Sequence, residues 1–162
     1  MYHGMSDPVI SPENSQRYYI NVANTMNATA DELDDYFRFF RISGGYHCSM
    51  GGAGAWAFGQ SGPAASASDN IIWDLVNWVE KGTAPDRITG TKWNNNDASQ
   101  GVAFQRSHCR FPYRTTFQGG DSNDINSWSC ELIQDWQKCG PGSFPRLCGG
   151  PSDPASMSTT PN

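Results

Sequence analysis

The sequence has 162 residues, enough for one domain with a hydrophobic core of ordinary size. Its 11 basic and 16 acidic residues give a formal net charge of -5 and form no basic cluster, which argues against a nucleic-acid partner. No apolar run approaches the roughly 18 to 20 residues of a membrane span. The first eight residues also lack the charged and apolar regions of a signal peptide.

The first predicted helix begins at Ser11-Pro12-Glu13. The serine can cap the helix, the proline has the φ angle of a first helical residue, and the glutamate suits the helix dipole. Tyr18, Val22 and Met26 follow at four-residue spacing, with Tyr19 beside them, and are expected to form one apolar face. This pattern predicts an amphipathic helix.

An aromatic segment from Tyr36 to Ile42, followed by two glycines, predicts a strand. Residues 44 to 68 are rich in glycine, alanine and serine without periodicity and are expected to form a long loop. A second helix is predicted after a cap at Ser68 or Asp69, and it should end at Lys81-Gly82. Its apolar face is expected to contain Ile72, Leu75, Val76 and Val79.

From residue 87 onward the sequence is rich in turn residues, and only short strands are expected, near 102–104 and 113–117. The order of elements is that of the later part of an α/β unit, because one strand cannot form a sheet and both helices carry an apolar face that a sheet would cover. We therefore expect an α/β fold with an incomplete sheet over residues 1–138. Residues 139–162 are expected to form a Cys/Pro/Ser-rich tail that is partly disordered.

The five cysteines are an odd number, and no two of them form a C-x-x-C pair. Zinc-ribbon and thioredoxin-type sites are therefore not favoured. Disulfides in an exported protein, with one cysteine left over, are the better interpretation. The sequon Asn27-Ala28-Thr29 agrees with export and makes Asn27 a candidate glycosylation site.

Asp7 and His47 are the candidate catalytic residues. In α/β enzymes catalytic groups gather beyond the carboxyl ends of the strands; His47 follows the predicted strand, and Asp7 would lie there if a strand ends near His3-Gly4. A histidine held by a carboxylate is the base and orienting group of a nucleophilic triad, and α/β-hydrolases place Ser, Asp and His in that order. The sequence contains no G-x-S-x-G motif to supply the serine, and Ser6 is too close to Asp7 to serve.

Other interpretations remain open at this point. An aspartate before a proline often starts a turn, and a loop histidine is often only hydrogen-bonded or exposed. His3, Asp7 and His47 could be drawn as metal ligands, although their spacing does not preset a coordination geometry. His108 is expected to be exposed next to Cys109. A secreted, disulfide-stapled binding module without catalysis is the alternative from another functional class.

Four segments together form a specific combination of motifs. They are YHGMSDPVISP at residues 2–12, YFRFF with GYHC and GGAGAWAFG between residues 36 and 59, LVNWVEKGTAPDRI at 75–88, and RSHCRFPY at 106–113. This combination resembles the tannase/feruloyl esterase family of fungi and bacteria, and the resemblance covers roughly residues 2 to 130.

The resemblance implies a secreted serine esterase of the α/β-hydrolase fold, of which this chain is the C-terminal part without the lid domain. It implies that Asp7 is the triad acid, that His47 is the general base, and that the nucleophilic serine lies upstream of this chain. The implied substrates are esters of phenolic acids, hydroxycinnamate or gallate. The family's structural calcium belongs to the lid, so no cofactor is expected here, and the chain alone is expected to be inactive.

The resemblance also assigns the cysteines. Cys48 is expected to pair with an upstream cysteine that neighbours the nucleophilic serine. Cys109 and Cys130 resemble the family's C-terminal disulfide. Cys139 and Cys148 remain and are expected to pair with each other in the tail.

Overall fold

The computed structural model describes residues 1–48, 50–60 and 63–133. The α-helices lie between residues 12 and 81, and four successive strands follow the last of them: β1 Tyr2–Gly4, α1 Pro12–Met26, α2 Ala30–Leu33, β2 Phe40–Ile42, α3 Ile71–Lys81, β3 Arg87–Trp93, β4 Val102–Cys109, β5 Tyr113–Phe117 and β6 Trp128–Leu132. None of the helices in these ranges is long and apolar enough to cross a bilayer. The predicted tail at 139–162, the boundary after residue 138 and the expected Cys139–Cys148 pair lie outside the described residues.

The strands form three two-stranded sheets. β1 and β2 are parallel, with Tyr2 opposite Phe40 and Gly4 opposite Ile42. The other two sheets are antiparallel, β3 with β4 and β5 with β6. The predicted Cys109–Cys130 disulfide is present and joins the end of β4 to β6.

The first helix begins at the predicted residue but buries only part of the predicted face. Ser11 is the N-cap residue, although its hydroxyl bonds the Glu13 carboxylate and does not cap a backbone N–H. Tyr19 and Ala23 are completely buried, whereas the prediction was wrong for Tyr18 and Met26, which are exposed. The ring of Tyr19 packs on aromatic rings from other segments, which a local periodicity does not report; these are Phe37, Phe39 and Phe111.

The aromatic segment before β2 is not a strand, since Tyr36 lies in a turn and residues 37–39 have no regular secondary structure, so the predicted strand from Tyr36 to Ile42 was too long. A short helix that the sequence analysis missed, α2, begins at a capping box formed by Thr29 and Glu32. The chain after α2 still turns, since the N–H of Phe37 donates to the carbonyl of Leu33 at 2.7 Å. Only Phe40–Ile42 pairs as a strand.

The second long helix, α3, starts later than predicted and leaves its apolar face open. Its cap is Asn70, whose Oδ1 accepts the N–H of Ile72 at 2.9 Å, because residues 67–69 form a short 3-10 turn before it. It ends at Lys81 as predicted, with Gly82 in the left-handed region at φ +66. The side chains at Ile72, Leu75 and Val79 are all exposed, up to 77% for Val79, so the described residues do not cover this face.

The C-terminal half contains more strand than the sequence predicted. β3 and β6 were missed, and β4 extends from Val102 to Cys109 rather than over three residues. β3 pairs along its whole length with β4, from Arg87 opposite Cys109 to Trp93 opposite Val102. This hairpin supports the loop that follows β2.

Candidate active site

The parallel pairing of β1 and β2 brings the loops that follow them to the same edge. The N–H of Met5 donates to the carbonyl of Ile42 at 2.9 Å, and the N–H of Ser6 donates to the carbonyl of Gly45 at 3.0 Å. The loop that carries Asp7 is therefore hydrogen-bonded directly to the loop that carries His47.

Gly4 is needed for this contact between the loops. A Cβ atom at Gly4 would lie 2.4 Å from the carbonyl oxygens of both Gly45 and Tyr46, which is far inside van der Waals contact. Backbone atoms cannot move aside as the end of a side chain can. The absence of a side chain at Gly4 thus sets the separation of the two loops.

His47 lies at the tip of a short hairpin-like loop. Gly45 and Gly51 form a β-bridge, and the N–H of Tyr46 donates to the carbonyl of Met50 at 2.6 Å. Cys48 follows His47 with a left-handed backbone, at φ +57. The β-bridge between Gly45 and Gly51 lies at the base of this loop and fixes the orientation of the backbone that carries His47.

The β3–β4 hairpin holds the continuation of this loop. Lys92 Nζ donates to the carbonyl of Gly52 at 2.5 Å, and His108 Nε2 lies 2.7 Å from the carbonyl of Ala55. The expectation that His108 is exposed was wrong, since it is 2% exposed. Burial lowers the pKa of His108 to about 4, so its ring is neutral and Nε2 carries the proton it donates.

Asp7 and His47 are in direct contact, with 2.8 Å between Asp7 Oδ2 and His47 Nδ1. An ionised carboxylate only accepts hydrogen bonds, so His47 Nδ1 carries the proton and a neutral ring leaves Nε2 with its lone pair. The Asp7 side chain is 3% exposed and the His47 side chain 48% exposed. No described residue hydrogen-bonds Nε2 of His47, so this atom can reach a reacting group.

The second oxygen of Asp7 is occupied by the backbone. Oδ1 accepts the N–H groups of Val9 at 2.8 Å and Ile10 at 2.9 Å, which is the turn-starting arrangement of an aspartate before a proline. Burial acts to raise the pKa of Asp7, but the hydrogen bonds from Ile10, His47 and Val9 outweigh it and hold this pKa well below its usual value. The turn and the contact with His47 therefore use different oxygens of one carboxylate.

A second histidine also reaches Asp7. His3 Nε2 lies 3.3 Å from Asp7 Oδ2, and the sequence analysis considered His3 only as a loop residue or metal ligand. The signal available in the sequence was its place four residues before Asp7 in the same motif. In the described ranges no three His, Cys, Asp or Glu side chains are arranged to hold a metal ion, so the metal interpretation of His3, Asp7 and His47 gains no support.

The remaining predicted positions lie at the surface. Cys48 is exposed and forms no disulfide with a described cysteine. Asn27 is exposed at the end of α1, in the left-handed conformation. Its glycosylation stays a prediction.

We predict that Asp7 stays ionised when exposed carboxylates protonate. Its lowered pKa means that it stabilises the fold above pH 4 and that this contribution is lost as the pH falls through its folded-state pKa. A carboxyl NMR titration should therefore place the Asp7 midpoint below the usual range of an aspartate. An Asp7 midpoint within that range would contradict the hydrogen bonding described above.

We also predict that Gly4→Ala separates the two loops. The overlap with two carbonyl oxygens should lower the free energy of unfolding by about 2 kcal/mol and remove the NMR signal of the hydrogen-bonded Nδ1–H of His47. Gly82→Ala is the control, because a Cβ atom there meets nothing within 4 Å and only the backbone conformation is strained. It should cost about 1 kcal/mol and leave the His47 signal in place. A Gly4→Ala protein with an unchanged His47 signal would disprove the role of Gly4.

Comparison with known proteins assigns the chain to a family. The family model described as tannase and feruloyl esterase matches residues 1–131. The chain is 46% identical over 133 residues to probable feruloyl esterase B-1 of Aspergillus flavus, covering 80% of this chain and 25% of the relative. It is 42% identical over 135 residues to feruloyl esterase C of Talaromyces stipitatus, covering 81% and 25%. The chain thus spans about a quarter of the length of these relatives.

Two crystal structures of proteins from Aspergillus oryzae have the same fold over 80% of this chain and 26% of their own. An esterase gives a TM-score of 0.75 at 44% identity, and feruloyl esterase B gives a TM-score of 0.72 at 42% identity. The expectation of a partial α/β-hydrolase fold with an incomplete sheet is confirmed. The chain belongs to the tannase and feruloyl esterase family.

Proposed function

We propose that this chain carries the acid and the general base of a serine carboxylesterase, with Asp7 as the acid and His47 as the base. The observation that supports this most directly is the 2.8 Å contact between Asp7 Oδ2 and His47 Nδ1, beyond the ends of two parallel strands. Membership of the family and relatives named feruloyl esterases support esters of phenolic acids, hydroxycinnamates or gallates, as substrates.

In this mechanism His47 Nε2 removes the proton of the serine hydroxyl while the oxygen attacks the ester carbonyl. Asp7 holds Nδ1–H, so the ring keeps the tautomer that leaves Nε2 basic, and the carboxylate stabilises the imidazolium that forms. The imidazolium then gives its proton to the leaving alcohol, and an acyl-enzyme remains. A water molecule activated by the same nitrogen hydrolyses the acyl-enzyme.

The serine comes from polypeptide outside these 162 residues, since the sequence holds no G-x-S-x-G motif and matches a quarter of its relatives. Cys48 pairs with a cysteine beside that serine, and its exposed, unpaired thiol in the described part of the chain agrees with this. Such a bridge would hold the nucleophile against the base, where small displacements cost large factors in rate.

The enzyme is secreted in this proposal. The Cys109–Cys130 disulfide supports it, because disulfides persist in oxidising compartments. The calcium ion that the family resemblance implies finds no fitting set of acidic and histidine ligands among the described residues. It would be held by another part of the enzyme, and no step above depends on it.

We predict that the 162-residue chain alone does not hydrolyse methyl ferulate or p-nitrophenyl acetate. An acid and a base without the serine provide no route to an acyl-enzyme. The measurement is initial rate at micromolar protein, compared with the His47→Ala chain. Hydrolysis that His47→Ala abolishes would show that the chain holds its own nucleophile and would contradict this part of the proposal.

Replacing the matching segment of Aspergillus oryzae feruloyl esterase B with residues 1–131 should give an active chimaera. In it, Asp7→Asn should lower kcat about 10⁴-fold, because the imidazole is no longer held in the required tautomer, and His47→Ala should remove the activity. Asp35→Asn is the control, since Asp35 is exposed and has no hydrogen-bond or ion-pair partner among the described residues. Methyl ferulate hydrolysis is the assay; a folded chimaera that is inactive, or that keeps full activity after Asp7→Asn, would refute the assignment.

A further inference from the structure

Arg41 lies at the centre of β2 and points away from the hydrophobic cluster that holds its two neighbours. Phe40 and Ile42 are 3% and 2% exposed. Because successive side chains of a strand point to opposite faces, Arg41 points to the other face. There its guanidinium carbon lies 5.1 Å from the ring centroid of Phe111. The strand and the aromatic ring thus restrict the position of this cation.

Arg41 lines a cavity of about 240 Å³ together with Arg114 of β5. Met5 and Ser43, from the loops that follow β1 and β2, also line it, as does Tyr113. None of the described residues that line this cavity is acidic. One molecule of liquid water occupies about 30 Å³, so the cavity has room for a small oxyanion with some of its water.

The other half-buried arginines of the described ranges all have an oxygen acceptor. Arg38 Nη1 donates to Asp86 Oδ1 at 2.9 Å, and Arg110 Nε donates to the same atom at 3.1 Å. Arg106 Nη1 donates to a backbone carbonyl at 2.7 Å. Arg41 is the exception, because it has no hydrogen bond or ion pair with a described residue. Removing a charge from water is costly unless the charge is paired, so this guanidinium favours an anionic partner.

The charges around Arg41 strengthen this argument. Burial lowers the pKa of Arg41, and the positive charge of Arg114 lowers it further. Arg114 is exposed and has no ion pair among the described residues. Glu131, which lies opposite Arg114 in the β5–β6 ladder, instead accepts a hydrogen bond from Gln118 Nε2 at 2.8 Å. An anion in the cavity that both arginines line would offset their mutual repulsion.

We propose that Arg41 and Arg114 bind an oxyanion, a carboxylate or phosphate group, in the cavity that they share. The planar guanidinium group can donate to two oxygens of such an anion at once. The hydroxyl groups of Ser43 and Tyr113 have no hydrogen-bond partner among the described residues and are available as further donors. The proposed function does not depend on this site, and the site does not depend on the proposed function.

The oxyanion has two candidate sources. One is a free anion. The other is a carboxylate side chain from polypeptide outside these residues, since the chain covers 25% of a relative such as probable feruloyl esterase B-1. Both sources present the same chemistry to the two arginines, and the experiments below distinguish them.

Binding is measured on the 162-residue chain from the Nε–H NMR signals of its arginines. Sodium phosphate replaces sodium chloride at constant ionic strength, so that screening of the surface charges stays the same. The signals of Arg41 and Arg114 should shift and saturate together in the millimolar range. The absence of a saturable shift at Arg41 would overturn the inference.

Three variants test whether the two arginines act together. Arg41→Gln, followed at Arg114, and Arg114→Gln, followed at Arg41, should each weaken phosphate binding about tenfold through loss of a charge-assisted hydrogen bond. Arg114 is exposed, so the second variant is informative even if Arg41→Gln does not fold.

Arg17→Gln is the control. It removes the same charge from an exposed position on α1 that does not line the cavity, and should change phosphate affinity by no more than about twofold. Unchanged affinity in Arg114→Gln, or an equal loss in Arg17→Gln, would show that phosphate responds only to net charge and would overturn the inference.

The melting temperature of the chimaera described above distinguishes the two sources. A free anion predicts that phosphate raises the melting temperature, because a ligand of the folded state stabilises it, and that Arg41→Gln removes this rise. A carboxylate of the polypeptide predicts no rise with phosphate and a lower melting temperature in Arg41→Gln than in Arg17→Gln. A chimaera that shows neither response would overturn the inference, whatever its activity on methyl ferulate.

Discussion

The geometry of the candidate site depends on one buried carboxylate, that of Asp7, which accepts hydrogen bonds from both a backbone turn and a histidine ring. Asp7 Oδ1 closes the turn that leads into α1, and Asp7 Oδ2 faces the imidazole rings of His47 and His3. A buried negative charge is tolerated only when donors surround it, and two of the three hydrogen bonds to the Asp7 carboxylate come from backbone N–H groups, which carry no side-chain entropy cost. The turn thus orients Asp7 independently of its contact with His47, which lies on an exposed loop tip.

The proximity of Asp7 and His47 was accessible from the sequence because it follows from topology. Parallel strands end at one edge of a sheet, so residues that follow two neighbouring strands meet there, however short the strands are. Local chemistry also fixed the start of α1 at Pro12 and the end of α3 at Lys81, since a proline at a helix start and a glycine after a helix end act within one turn. These features need no knowledge of the rest of the fold.

The features that the sequence did not reveal depend on distant partners. Tyr19 and not Tyr18 is buried because rings at Phe39 and Phe111 lie on that side, and those rings are 20 and 92 residues away along the chain. β3 was missed because its residues lack strict alternation and pair as a strand only with β4. The contact of His3 with Asp7 needs a ring that folds back across a turn, a geometry that spacing alone does not specify.

The side-chain hydrogen bonds between Asp7, the turn at Val9 and Ile10, and His47 all lie within residues 7 to 47, whereas the apolar face of α3 lies open. The proposed acid and base are thus held together by local contacts. What this pair lacks is a fixed relation to a nucleophile, and rates are most sensitive to that relation. Cys48 directly follows His47 and is exposed, so a disulfide from Cys48 would restrain the loop tip, which the local hydrogen bonds leave exposed. In that arrangement hydrogen bonds set the angle between acid and base, and the disulfide sets the distance from base to nucleophile.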